Sequence, residues 1–302
     1  MTSGSFYLEP GQEGPDPEQA LPWGDETVIL DFCGGPYRFD GLSQPQAKAI
    51  RQRYRRYLLT EDEGRGIITE LRQVDDRCFR SIDTRGWTYE RMEYHHAPDQ
   101  VDVTGLKMQS RLILAPRLTG ILGTSLDDHQ WFPGLVFENY FRMLTAYRLL
   151  SLGGVMLHSA GILSDGTTRL FLGHSGAGKS TLSELAHERG LVVLSDDLNV
   201  LLPENDRLRV EKVPFTGTFA QQPDERCSYP LGGIFKLIQG TENSLDELGP
   251  GAALSLLLSC APFVNEDPFR FDRLADNLGR ILEQAAPHSL TFNRDGGCFT
   301  LF

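Results

Sequence analysis

The sequence predicts an α/β fold, a sheet layered with helices, preceded by a smaller α+β domain. Three observations carry this. Beyond about residue 130, helix-period and strand-period segments alternate. The apolar run Arg169-Leu170-Phe171-Leu172 meets a glycine-rich turn that opens directly into a helical pattern. Before residue 125, short β-branched and apolar runs are separated by turn residues and joined by one amphipathic helix. The expected domains are therefore residues 1–130 and 131–302.

Residues 9–26 are rich in Pro, Gly, Glu and Asp and read as a mobile lead-in. A strand is expected over 27–32, then a turn at Gly34-Gly35-Pro36. A helix is expected over 44–59, with Ser43 as N-cap, Pro45 in its first turn, and Ala47, Ile50, Tyr54, Tyr57 and Leu58 at helical spacing. Its Lys48, Arg51, Arg53, Arg55 and Arg56 read as a solvated face rather than a docking face for an acidic peptide. Further strands are expected over 66–71, 78–82, 86–93 and 111–114.

The second domain opens with a helix over 135–150, whose Phe137, Tyr140, Phe141, Leu144 and Tyr147 share a face and which Gly153-Gly154 ends. A strand follows over 155–163, a turn over 164–166, and the strand that leads into the glycine-rich loop. The next helix spans 180–189 and stops at Gly190. The continuous apolar run 191–194 reads as a buried strand. Later strands are expected over 208–213, 233–239, 289–293 and 298–302, with a helix over 269–284.

The chain has 302 residues, 40% hydrophobic and 23% charged, with a formal net charge of -12. An acidic chain repels phosphate backbones, which argues against nucleic acid as a partner. Five cysteines without a CxxC pair argue against a disulfide framework or zinc site and suit a reducing compartment. Cys260, in the apolar run 254–260, reads as a buried structural thiol. No secretory signal and no membrane-length apolar run is evident, so a cytoplasmic protein away from the membrane is expected.

The loop itself reads Gly173-His174-Ser175-Gly176-Ala177-Gly178-Lys179-Ser180-Thr181, a complete Walker A motif with a strand ahead and a helix behind. Its glycines let the backbone curl so that N–H groups converge on a phosphate chain. Lys179 supplies a point charge to the β and γ phosphates, and the Ser180 hydroxyl sits where such loops hold Mg²⁺. The helix that begins here adds its positive end. Residues 173–181 are thus expected to bind ATP, with Gly173, Ser175, Gly176, Ala177, Gly178, Lys179, Ser180 and Thr181 in contact with it. His174 occupies a free position and has no assigned role.

One short helix later come Ser195-Asp196-Asp197, at the carboxyl end of the next strand, where open α/β sheets bind ligands. One carboxylate suits the Mg²⁺ of MgATP and the other suits proton removal from an attacking hydroxyl. Which of Asp196 and Asp197 is the base stays open at this point. The metal set is Ser180, Asp196 and Asp197.

These residues resemble the catalytic core of the HPr kinase/phosphorylase family. That family shows a His-containing strand, a Gly-x-Ser-Gly-x-Gly-Lys-Ser loop, a helix ending in Arg-Gly and an Asp-Asp pair. This chain has His158, the loop at 173–180, Arg189-Gly190 and Asp196-Asp197. The resemblance covers residues 153–200. It implies a P-loop kinase core of the HPr kinase / PEP carboxykinase type, with Lys179, Asp196, Asp197 and His158 as catalytic residues, and a homo-oligomer. Thr181 stands where the family usually has Glu, and the family's later catalytic loop has no clear counterpart. Arg226 and the stretch Thr216-Gly217-Thr218 match no motif.

Looser patterns are similar to divergent HPr-kinase-like proteins of bacterial peptide-modification clusters, lasso-peptide ones included. They are residues 137–142 leading into Gly153-Gly154-Val155-Met156-Leu157-His158, residues 231–237, and the closing Leu290-Thr291-Phe292-Asn293-Arg294-Asp295. They imply a kinase acting on a hydroxyl of a precursor peptide; the expected function is an ATP-dependent kinase for a serine of a peptide or small protein, with residues 1–130 as the candidate docking domain. Lys236 reads as a partly exposed strand lysine. The alternatives are a small-molecule hydroxyl kinase and a P-loop ATPase or switch. More than half of the chain precedes the loop, and the acid pair arrives early, which disfavours the first. No ABC signature and no guanine-specificity motif is present, which disfavours the second.

Overall fold

The computed structural model describes residues 17–79, 92–205, 207–215, 217, 219 and 227–301. It divides into two compact units, Met1–Leu144 and Thr145–Phe302, so that the division falls inside a helix.

The first unit is built on a mixed sheet. Its strands are β1 (Glu26–Leu30), β2 (Tyr37–Leu42), β3 (Leu58–Leu59), β4 (Ile67–Gln73), β5 (Glu93–His96), β6 (Gln100–Gly105), β7 (Met108–Ile113) and β8 (Thr119–Thr124). They lie in the order β3-β1-β2-β4-β8-β7-β6-β5. Helix α1 (Gln44–Arg53) starts at a full capping box, Ser43 with Gln46, which satisfies two otherwise orphaned backbone N–H groups. It ends earlier than the periodicity predicts. Tyr54 and Tyr57 turn into the core through a 3₁₀ turn at Arg55–Tyr57, which frees Leu58–Leu59 to pair with β1.

Helix α2 (Glu138–Ser151) follows a π-turn at Phe132–Phe137. Within the first unit its Phe141 packs edge-on against Tyr37 at 5.1 Å, and Phe137 against Phe39 at 4.7 Å between ring centres. Such pairs add about 0.5–1.5 kcal/mol each beyond the area they bury. The basic face of α1 is not free. Arg51 pairs with Glu26 at 2.8 Å, and Arg53 pairs with the buried Glu138.

Several expectations in this unit need correction. Of the strand expected over 78–82, Cys78 instead ends a 3₁₀ turn over 76–78 that Asp75 caps from its own side chain, and residues 80–82 lie outside the described residues. Strands β2, β6 and β8 were not expected. Their runs are short and interrupted by Gly or Asp, and sheet pairing rather than propensity makes them strands. Residues 20–26 are not loose, since Trp23 and Gly24 donate to the Gly41 carbonyl at 3.0 and 3.2 Å. Residues 17–19 form a short 3₁₀ turn, and residues 9–16 of the expected lead-in and most of the expected strand 86–93 lie outside the described residues.

The second unit contains β9 (Val155–Ser164), β10 (Thr167–Leu172), helix α3 (Lys179–Glu188), β11 (Val192–Ser195), β12 (Leu198–Glu204), β13 (Arg207–Glu211), β14 (Ser228–Gln239), β15 (Ser244–Glu247), helices α4 (Pro250–Ser259) and α5 (Phe271–Gln284), and β16 (His288–Phe292). Two long strands organise it. The amino-terminal ends of β9 and β14 pair with β12 and β13, and their carboxyl-terminal parts both pair with β10. Since β12 also pairs with β13, strands β9, β10, β14, β13 and β12 close into a ring. Outside it, β16 runs parallel to β14.

One edge of β9 is shared by two strands. Its residues 161–163 pair with β11 and its residues 155–158 with β12. The chain breaks between those strands at Asp196-Asp197. Helix α3 packs on β9 and β11 through Leu182 and Ala186, over a core of Ala160, Ile162, Phe171, Val193, Phe235, Leu237, Leu290 and Phe292. Each such side chain fully withdrawn from water is worth about 1.5–3 kcal/mol for the larger ones. The core sits directly beneath the glycine-rich loop and holds it in place.

The expected strand over 298–302 is instead a 3₁₀ turn at Gly297–Thr300. Gly296, at φ 72°, turns the chain, and Asp295 accepts from the Gly297 N–H at 2.6 Å, which ends extended structure there.

Candidate functional site

The site grows from the carboxyl end of β10. The backbone passes through Gly173, then through Gly176 at φ 83° and Gly178 at φ 102°, and enters α3 at Lys179. Both angles lie in the left-handed region that side chains disfavour. Gly178 carries a second constraint. A Cβ there would come within 2.6 Å of Cζ of Phe292, the last residue of β16. The loop is therefore shaped by its own glycines and by a neighbouring strand.

Lys179 folds back over the loop and donates from Nζ to the Gly173 carbonyl at 2.9 Å. Its side chain is buried, and burial lowers its pKa. The nearby Cys260 thiol and the Asp197 and Asp196 carboxylates oppose that shift. A cation held in a partly dry pocket gains strongly from an arriving polyanion.

The acid pair lies beside it. Asp196 is 4% exposed. Its Oδ2 accepts from Ser180 Oγ at 3.1 Å, and its Oδ1 accepts from the Phe219 N–H at 3.1 Å. Asp197 points outward by comparison. Its Oδ1 lies 3.4 Å from Nε2 of His158, with both side chains partly exposed. The backbone locks this corner, since Ser159 donates to the Asp197 carbonyl at 2.9 Å and Asn199 Nδ2 to the Ser159 carbonyl at 2.8 Å.

The expected catalytic and loop residues come to one end of the sheet. Lys179, Ser180, Asp196, Asp197 and His158 form one continuous group. Gly173, Ser175, Gly176, Ala177 and Gly178 form the loop around its floor, and Thr181 stands in the first turn of α3. The two carboxylates and the Ser180 hydroxyl fit magnesium, a hard cation that takes one or two protein carboxylates and completes its shell with phosphate and water oxygens. Among the described residues no group of three His, Cys, Asp or Glu gathers as a dedicated metal cage. Lys236 is half-buried on β14 and lines a cavity of about 690 Å³ between the loop and α4. Arg226, Thr216 and Thr218 lie outside the described residues.

Two members of the site were not foreseen. Cys260, expected only as a structural thiol, is buried at the end of α4. Its carbonyl accepts from the His158 N–H at 2.7 Å. Burial pushes its thiol pKa up, while the Lys179 ammonium and the Gly173 amide pull it down. Phe219 fixes Asp196 through its backbone, a role any residue type could fill. Neither leaves a local sequence signal, since both arrive through long-range packing.

No family model matches the chain, and no curated protein matches it. Among solved structures, the chain is similar to the Hpr(Ser) kinase/phosphatase from Coxiella burnetii, at 11% identity and a TM-score of 0.26, over 48% of this chain and 90% of that one. Among the described residues, no helix is long and apolar enough to cross a membrane.

Proposed function

We propose that this protein is an ATP-dependent phosphotransferase that moves the γ-phosphoryl group of MgATP to a hydroxyl, a serine of a peptide or small protein. One observation carries the reading. The loop's Lys179 and Ser180 and the acids Asp196 and Asp197 meet at one strand end, with Ser180 Oγ 3.1 Å from Asp196. That is the set a phosphoryl transfer needs: a phosphate cradle, a cation, a metal ligand and a base. The resemblance of residues 153–200 to serine kinases supports a peptide hydroxyl as the acceptor.

The geometry supports a division of roles. Asp196 is buried, anchored at both oxygens and beside Ser180, which suits a metal ligand. Asp197 is more open and carries His158 at 3.4 Å, which suits a base. Mg²⁺, when bound, supplies neutralising charge on the β and γ oxygens. Lys179 leaves the Gly173 carbonyl for the phosphates. Asp197 takes the proton as the acceptor oxygen bonds to the γ phosphorus, and the bond to the β-bridging oxygen breaks to release ADP. Positioning and charge neutralisation supply most of the acceleration.

The test incubates γ-labelled ATP and Mg²⁺ with a peptide and protein extract of the source organism, with Lys179→Ala as the blank. The expected result is Lys179-dependent label on a serine or threonine of a peptide. Label only in free phosphate, unaffected by the extract, would replace the reading with an ATPase. Label on a small metabolite would replace the acceptor class.

A further inference from the structure

We infer that the nucleoside of the bound nucleotide sits in a cavity at the carboxyl ends of β14 and β16, with Arg294 as its principal side-chain contact. This rests on the phosphate reading above. Strand direction orients the bound phosphate chain. In the sheet, β11 and β10 run parallel with β9 between them. The acids follow β11, so the γ end of a phosphate chain on the loop points toward β9. The nucleoside must leave on the opposite flank, where β14 and then β16 run parallel to β10. Carboxyl ends of parallel strands are where such sheets bind ligands.

A cavity of about 150 Å³ lies on that flank, lined by Thr181, Gln239, Gly240, Phe292, Asn293 and Arg294. Its size is close to that of an interior cavity which accepts one benzene-sized ring. Thr181 directly follows Ser180, so the cavity begins where the phosphate chain ends.

The walls are held rigidly. Asn293 Nδ2 donates to the Thr241 carbonyl at 3.1 Å, and Asn243 Nδ2 donates to Asp295 at 2.9 Å. Arg189, at the end of α3, donates to the Asp295 carbonyl at 2.6 Å. The Gly297 N–H and the Asn243 and Asn293 amides hold the Asp295 carboxyl below its usual range. This network consumes Asn293 and Asp295 and leaves Arg294 between them exposed and presented to the cavity. A planar guanidinium stacks on a base. Gln239 donates Nε2 to the Gly176 carbonyl at 2.8 Å, which ties the cavity wall to the phosphate loop. Its amide oxygen is an acceptor suited to an exocyclic amine of the base, such as that of adenine.

The experiment compares ATP with inorganic tripolyphosphate, which has the phosphates without the nucleoside. Binding of each, with Mg²⁺, is measured calorimetrically for the wild-type chain, Arg294→Ala and Lys179→Ala. In parallel, 8-azido-ATP is photo-crosslinked and the labelled peptide mapped. ATP is expected to bind at least tenfold more tightly than tripolyphosphate. Arg294→Ala should remove most of that advantage and leave tripolyphosphate binding within about twofold, and label should fall on residues 239–241 or 292–294. Equal wild-type affinity for the two probes, or an ATP advantage intact in Arg294→Ala with label on α4, overturns the nucleoside site alone. Absence of binding by either probe, or binding that survives Lys179→Ala, overturns the phosphate reading beneath it.

Discussion

Ser180 Oγ donates to Asp196 Oδ2 across 3.1 Å, although sixteen residues and most of helix α3 separate them in the chain. The contact places a hydroxyl and a carboxylate on the same side of the loop, where a metal would bridge protein and phosphate. Asp196→Asn keeps the shape and the Phe219 hydrogen bond but removes the charge. The expected outcome is ATP binding that no longer strengthens when Mg²⁺ is added, and a transfer rate lower by about 10²–10³-fold. Titrating Mg²⁺ against nucleotide affinity checks it.

Asp197 carries the opposite prediction. Its carboxylate faces His158, with Oδ1 3.4 Å from Nε2. Asp197→Asn should leave MgATP affinity nearly intact and lower kcat by about 10²–10⁴-fold, the usual worth of a general base. His158→Gln should reduce kcat less and change the shape of the pH–rate profile. Steady-state kinetics with ATP as the varied substrate separate these effects. An unchanged kcat in Asp197→Asn would falsify its assignment as the base.

In the first unit, Tyr140 Oη and Thr69 Oγ1 share a buried hydrogen bond of 2.9 Å. Gly120 lies against it, and a Cβ on Gly120 would collide with Tyr140 Oη. Gly120→Ala should therefore expel or tilt the tyrosine and cost about 1–3 kcal/mol. Tyr140→Phe removes the colliding oxygen but strands Thr69, costing about 1 kcal/mol. The double variant should lose less than the two costs added. Denaturant unfolding of all four proteins closes the cycle, and strict additivity would show that the oxygen is not the point of conflict.

How much was legible follows from where each signal lies. Residues 173–181 declare themselves because the loop's shape is written in consecutive glycines, and Asp196-Asp197 because only one helix intervenes. The Ser43 cap and the Gly153 and Gly190 stops were likewise local. The closed ring was not legible. β12 follows the acids without a pause, and it is a strand because β9 is long enough to pair with β11 and β12 in succession. Cys260 and Phe219 reached the site by packing and backbone geometry, which no local pattern encodes. The expected strand over 298–302 failed because the Asn243 and Asp295 hydrogen bonds after β16 outweigh a weak apolar run.

Lys179 links stability to function. Burial lowers its pKa from the ordinary 10.5, so in the nucleotide-free protein the charged amine is less favoured than in the unfolded chain. In that state the unfolded chain holds the proton more tightly than the folded one, and the folded state carries a cost at neutral pH. The cost is relieved as pH rises through the window between the lowered value and 10.5, because there the unfolded chain still binds the proton and the folded one has released it. Lys179→Met has nothing to desolvate. It should melt no lower than the wild type without nucleotide at pH 7, and the gap between them should narrow as pH approaches the ordinary lysine range. With MgATP the order should reverse, since the phosphates reward the charge that folding penalised, and only the wild type gains stability by mass action. Thermal unfolding of both proteins across pH, with and without MgATP, reads this directly. A Lys179→Met melting point well below the wild type without nucleotide would mean that the hydrogen bond to Gly173 outweighs the burial of the charge.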